Sequence, residues 1–166
     1  MDKETYHLAI RFSDSRFRIE NVVALHNEIV SRVGYVWFGK MGLPIGVTKI
    51  DQLKLQISLK LPTFAYLVKS FRMKSTFYKA NILDITRRLP KSEVENFPDY
   101  YRQYNLINYV KTWLKISKIV PVDDDEINHI KVAKSIFTLR ETLSRSASGH
   151  FWVKKTEAID QLFGKR

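Results

Sequence analysis

Tyr6, Leu8, Ile10 and Phe12 alternate with His7, Ala9 and Arg11, the period-two pattern of a half-buried strand. From Val22 the spacing becomes helical: Val22, Leu25, His26, Ile29 and Val33 recur on one face, with Asn21 placed as an N-cap and Gly34 as the stop. Residues 35–38 form a short apolar run closed by a glycine-rich loop at 39–46, and residues 53–59 alternate again, which predicts another strand. Two β-branched and aromatic runs, 63–69 and 76–85, flank the basic connection 70–75 and read as a hairpin. Residues 90–108 make a long, polar, tyrosine-rich connection, and a loop of that length inside a compact domain is commonly functional. A strand over 113–120 ends at Pro121, a helix is expected over 123–133, a strand over 150–154 after the serine-rich turn 144–149, and a closing helix over 156–163. One strand, one helix, then mostly strands favours an α+β barrel over a doubly wound sheet, whose strands and helices would alternate throughout.

The chain has 166 residues, 45% of them hydrophobic and 27% charged. That is about one domain's worth on a prior of roughly 100–200 residues per domain, with enough apolar surface to build a core and no sign of intrinsic disorder. The absence of cysteine excludes a disulfide scaffold, cysteine-ligated zinc, an iron–sulfur cluster and a thiol nucleophile. No apolar run approaches a membrane span and the N-terminus lacks a signal-peptide pattern, so a soluble, cytoplasmic protein is expected. The abrupt Gly-Lys-Arg ending suggests the N-terminal part of a longer protein.

Charge changes the picture. The net formal charge is +11, and residues 52–92 hold nine basic groups against one acid, Asp84. Ten Phe, eight Tyr and three Trp accompany this surplus, and basic and aromatic residues together point to nucleic acid. Candidate phosphate-binding groups are Lys69, Arg72, Lys74, Arg87, Arg88, Lys91 and Arg102.

Catalytic chemistry has no visible anchor. His7, His26, His129 and His150 fall in different elements without metal-ligand spacing, and His26 on the apolar helix face reads as a satisfied core residue. The acids at 123–126 answer a helix N-terminus better than a cation. No nucleophile elbow or phosphate loop occurs. The aromatics carry more: Trp37 stands between Gly34 and Gly39, Tyr100, Tyr101 and Tyr104 crowd the polar connection, and rings from two loops are able to sandwich a planar base.

The order of motifs resembles the YTH domain and its EVE relatives, members of the PUA-like superfamily. The likeness runs from the first strand through the helix to Gly34-Tyr-Val-Trp37, then the apolar strand 64–68, the segment 75–84, and Lys111-Thr-Trp113-Leu-Lys-Ile leading to Val-Pro121. It implies a partly open β-barrel flanked by helices over a single domain, 1–166. It also implies a reader of modified bases: Trp37 as the first cage wall, the second from Tyr101 or Tyr104 with Tyr100 nearby, Trp113 opening its strand, and Asp14, Ser15 or Asn21 bonding the base edge. Within the superfamily, the specificity domains of McrB-type restriction systems are the nearest parallel. They suggest modified double-stranded DNA as partner, with N6-methyladenine favoured and 5-methylcytosine as the alternative, no cofactor or metal, and an oligomeric parent protein acting with a nuclease. The competing readings are an RNA-binding module of YTH or ASCH type and a nucleoside-processing enzyme on the same scaffold using Lys79 or Asp84.

Overall fold

The computed structural model describes residues 4–14, 19, 21–71, 74–93 and 96–156. Among the described residues, eight strands alternate irregularly with five helices: β1 (His7–Phe12), α1 (Val22–Val33), β2 (Val36–Lys40), α2 (Val47–Ser58), β3 (Phe64–Phe71), β4 (Lys74–Thr86), α3 (Tyr100–Gln103), β5 (Thr112–Ile116), β6 (Val120–Pro121), α4 (Asp124–Asn128), β7 (Ile130–Val132), α5 (Leu139–Arg145) and β8 (His150–Lys155). The sheet runs β2-β5-β4-β3-β1-β8-β7, with β6 beside β4. It is mixed and is not closed into a barrel, which corrects the barrel expectation while keeping the α+β class. β1 and β3 pair in parallel, with Ala9 opposite Tyr66, and every other pairing is antiparallel.

Strand β4 joins the two halves. Its first part pairs with β3 and its last part with β5, after a register shift between Ile82 and Asp84. Central strands with both faces covered read as continuous apolar runs, and β1 fits: Leu8 and Ile10 enter the main core with Ile29, Phe38, Ile50 and Leu53, whereas Ala9 joins Tyr66, Phe77, Leu139 and Phe151 on the other face. A third cluster, Trp37, Phe97, Tyr101, Leu106, Val110 and Trp113, covers the remaining face of β2 and β5. The connection 96–110 therefore lies over edge strand β2, and the Trp37 N–H donates to the Asn96 carbonyl at 2.9 Å.

Helix α1 forms where its spacing predicts. Asn21 Oδ1 accepts the Ala24 N–H at 3.0 Å, and Gly34 closes the helix at φ 90, where a side chain would be strained. Residues 53–59 are not a strand but the second half of α2 and its C-cap, Leu59. Their alternation is coincidental, because Ile50, Leu53 and Gln56, three apart, are the buried positions while Leu55 and Leu59 lie about half exposed. Residues 123–133 divide into α4 and β7, and the expected strand over 113–120 breaks into β5 and β6. Asp123 Oδ1 caps α4 by accepting the Glu126 N–H at 2.9 Å. Helix α5, which the hydrophobic pattern does not announce, rests on a capping box between Thr138 and Glu141. The expected helix over 156–163 lies almost wholly outside the described residues, of which Thr156 is the last.

One buried side chain ties α2 to the sheet. Gln56, 2% exposed, accepts the Tyr6 N–H at 2.9 Å and donates to the Tyr6 carbonyl at 2.8 Å and to Thr63 Oγ1 at 3.2 Å. Gln56→Ala strands these buried partners and is expected to destabilise the protein by ~1–3 kcal/mol in denaturant titrations. Asp51→Ala, exposed on the same helix, is the control and should change little.

Candidate functional site

Burying a tyrosine hydroxyl requires partners for its oxygen and its proton, and Tyr101, 1% exposed, finds them at the end of β2. The Gly39 N–H donates to the Tyr101 hydroxyl at 2.9 Å, and His26 Nε2 lies 3.2 Å from the same oxygen. His26 Nδ1 is 2.7 Å from the Val22 carbonyl, so the imidazole carries its proton on Nδ1 and Nε2 accepts from Tyr101. Complete burial pulls the His26 pKa down to about 4, against a weaker opposing effect of the Val22 carbonyl, and keeps the ring neutral. Burial likewise pushes the Tyr101 hydroxyl up to about 12 and the Tyr100 hydroxyl higher still. The Tyr100 and Tyr101 rings stack with centroids 4.3 Å apart.

Gly39 makes this approach possible. A Cβ there would stand 2.8 Å from Tyr101 Cε1, 2.9 Å from Val110 Cγ2 and 3.0 Å from Trp113 Cζ3. The glycine belongs to strand β2, opposite Trp113, rather than to the loop the sequence pattern assigns it.

Beside this relay lies a cavity of about 390 Å³, within the ordinary range for small-molecule sites. Ile10, Phe12, Ile19, Val22, Phe38 and Leu106 give it an apolar lining, and Tyr100, Tyr101, Gly39, Gly42, Ser13 and Ser70 complete it with Arg11, Met41 and Gly149. Its polar side chains are engaged by the protein itself. Arg11 donates to the carbonyls of Ser148 at 3.0 Å, Leu143 at 2.8 Å and Ser146, and Ser70 bonds Ser75 at 3.3 Å. Lys40, 2% exposed, is spent on its own loop: its ammonium donates to the carbonyls of Met41 at 3.0 Å and Leu43 at 2.5 Å, and burial lowers its pKa. A neutral, largely apolar occupant suits such a space.

A second hollow, about 620 Å³, gathers Arg87, Arg88, Arg102 and Lys111 around Phe97, Val110 and Trp113. The Arg102 guanidinium lies 4.8 Å over the Phe97 ring and Arg87 Nη2 donates to the Ile45 carbonyl at 3.0 Å. No carboxylate is among its lining residues, and among the described residues Arg87, Arg88 and Lys111 are paired with none. An anion is the natural occupant.

The sequence-derived candidates distribute unevenly over these spaces. Tyr100 and Tyr101 border the cavity, and Tyr104, 41% exposed, stands outside it. Trp37 and Trp113 do not line it. Each is 2% exposed within the third core cluster, because the 96–110 connection folds onto their rings, so Trp37, expected as the first cage wall, is not a wall of this cavity. Asp14 and Asn21 serve the start of α1: the Asp14 carboxylate accepts the Val22 N–H at 3.0 Å and pairs with Lys69, and Asn21 is the helix cap. Lys69 is thereby engaged. Lys74 opens β4, Lys91 begins a 3-10 turn, and neither borders the cationic hollow, whereas Arg87, Arg88 and Arg102 meet there. Ser15 and Arg72 lie outside the described residues. Lys79 and Asp84 do not border the cavity; Lys79 bonds Glu126 at 2.7 Å and Asp84 faces Lys54 at 3.9 Å. Sequence reasoning missed Phe12, Phe38 and Ser13 as lining residues and Lys111 as the fourth cation. Lys111 stands immediately before the Thr-Trp of β5, a neighbour of residues already singled out.

Comparison with protein-family models matches residues 8–157 to the family described as Pua-like. No curated protein and no solved structure matches the chain.

Gly39→Ala is expected to push Tyr101 off the β2 backbone at a cost of ~1–3 kcal/mol in chemical denaturation. Gly149→Ala, where an added Cβ meets nothing within 4 Å, should be nearly neutral. Acid sensitivity follows from the histidines. An unfolded histidine titrates near 6.5, whereas burial holds His7 and His26 at about 4. Between those values the unfolded chain binds more protons, so stability should fall as the pH drops from about 6.5 towards 4. The unfolding free energy, followed against pH, should show this slope, and His26→Gln should reduce it by about one proton's worth.

Proposed function

The chain belongs to the Pua-like family, and from that premise we propose that it is a nucleic-acid-binding module that lodges one extruded, modified base in the apolar cavity while the cationic hollow takes a flanking phosphate. Pua-like domains generally bind RNA or other nucleic acid, and the fold is compatible with such a binding module. The observation that carries the reading is the division of polarity: a largely apolar cavity of about 390 Å³, bordered by Tyr101 and Leu106, and a hollow with four cations, bordered by Arg102 and Val110, are both lined by the same short connection. A nucleotide has the same division, a neutral planar base joined to an anionic phosphate.

Extruding a base costs a few kcal/mol. Stacking on an aromatic ring contributes ~1–3 kcal/mol, and Tyr100 is the ring placed to supply it. Phosphate contacts from Arg87, Arg88, Arg102 and Lys111 supply a salt-sensitive remainder. Burying one methyl group gives only ~0.8 kcal/mol, so selection also draws on the largely apolar lining, which favours a methylated over an unmethylated amino group. One-methylene discrimination of this kind reaches ~10–200-fold. N6-methyladenine in duplex DNA is the preferred target on the YTH likeness, with 5-methylcytosine as the alternative. The wider role is that of specificity module in a modification-dependent restriction complex, in the cytoplasm, with cleavage in a partner subunit of an oligomeric assembly.

Fluorescence anisotropy with methylated and unmethylated DNA duplexes, and with RNA of the same sequence, tests this. The methylated duplex should bind at least ~10-fold tighter than the unmethylated one, and Arg88→Ala with Lys111→Ala should weaken both and flatten the salt dependence by about two phosphate contacts. Equal affinity for methylated and unmethylated strands would sink the reader hypothesis, and tighter binding to RNA would replace the DNA target.

A further inference from the structure

Tyr100 borders two spaces. With Ile19 it lines the apolar cavity, and the same two residues line a shallower hollow of about 330 Å³ completed by Asn21, Ala24, Leu25, Glu28, Gln103 and Tyr104. Among the described residues, one aromatic side chain and one aliphatic one border both spaces. The aromatic part sits on α3, only four residues long, and is held by stacking on Tyr101 at 4.3 Å. The spaces differ in chemistry. The cavity is apolar, whereas the outer hollow presents the Glu28 carboxylate and the Gln103 amide, and among the described residues Glu28 forms no ion pair.

We propose that the Tyr100 ring is a partition that sets the size limit of the cavity, and that the Glu28–Gln103 hollow behind it is a latent subsite for a hydrogen-bond-donating substituent longer than a methyl group on the same base. The inference rests on the reading of the cavity as a base site. While the ring is in place, a base with a compact apolar substituent fills the cavity and a longer one meets the Tyr100–Ile19 wall. Without the ring the two hollows join, and a hydroxyl at the end of the substituent reaches the carboxylate and amide.

Competition binding with DNA duplexes carrying adenine, N6-methyladenine or N6-(2-hydroxyethyl)adenine separates the possibilities. The wild type should prefer the methylated base to both others. Tyr100→Ala should raise the hydroxyethyl-to-methyl affinity ratio by at least ~10-fold, the size of a one-methylene effect, and Tyr100→Phe, which keeps the ring, should retain the wild-type ratio. Adding Glu28→Gln to Tyr100→Ala should reduce the gain. An unchanged ratio in Tyr100→Ala, or an equal shift in Tyr100→Phe, overturns the partition. If Tyr100→Ala melts too low to assay, Tyr100→Leu shortens the wall while staying apolar and is judged by the same ratio. A wild type that fails to separate methylated from unmethylated adenine overturns the base-site reading itself, and the partition falls with it.

Discussion

The approach of Tyr101 to the β2 backbone at Gly39 governs the geometry of the whole candidate site. The tyrosine oxygen accepts the Gly39 N–H and donates its proton to neutral His26, whose other nitrogen is bound to the Val22 carbonyl. Each bond is buried, so each is strengthened by its surroundings and expensive to leave unmade. Strand β2, helix α1 and the 96–110 connection meet at this one oxygen. A single Cβ at Gly39 would reach within 3.0 Å of the connection at two points and of β5 at a third.

From that junction follow both the cavity and its limits. Once Tyr101 is fixed, Tyr100 stacks beside it at the cavity wall, and the rings of Trp37, Phe97 and Trp113 are sealed beneath the connection. The connection then carries different chemistry on its two sides: Tyr100, Tyr101 and Leu106 towards the apolar cavity, Arg102, Ile107, Val110 and Lys111 towards the cationic hollow. The cations that crowd residues 52–92 in the sequence do not act as one surface. Lys69 is bound to Asp14, Lys79 to Glu126, and among the described residues of that stretch only Arg87 and Arg88 reach the hollow, where Arg102 and Lys111 join them from elsewhere in the chain.

Local chemistry was readable wherever it was sufficient to determine local structure. Helix α1 declares itself because its cap, its buried face and its glycine stop all lie within fourteen residues of chain, Asn21 to Gly34. Helix α2 does not, since Leu53, Leu55, Ile57 and Leu59 satisfy a strand's period while burial selects Ile50, Leu53 and Gln56 instead. Helix α5 has few apolar positions and stands on the reciprocal bonds of Thr138 and Glu141. Of the tyrosines singled out at 100–104, Tyr100 and Tyr101 border the cavity and Tyr104 does not, whereas Trp37, expected as a cage wall, is a core residue.

The sequence by itself determined the α+β class, the first helix with both its ends, the hairpin of β3 and β4, and a cationic, aromatic character suited to nucleic acid. Those properties follow from spacing, capping and charge, which act over a few residues or over the chain as a sum. Tertiary structure decided which aromatics line a cavity and which become core, which cations stay available, and why position 39 has no side chain. Such outcomes depend on pairs separated by sixty residues or more, as Gly39 and Tyr101 are, and no local pattern records which partner a buried hydroxyl will find.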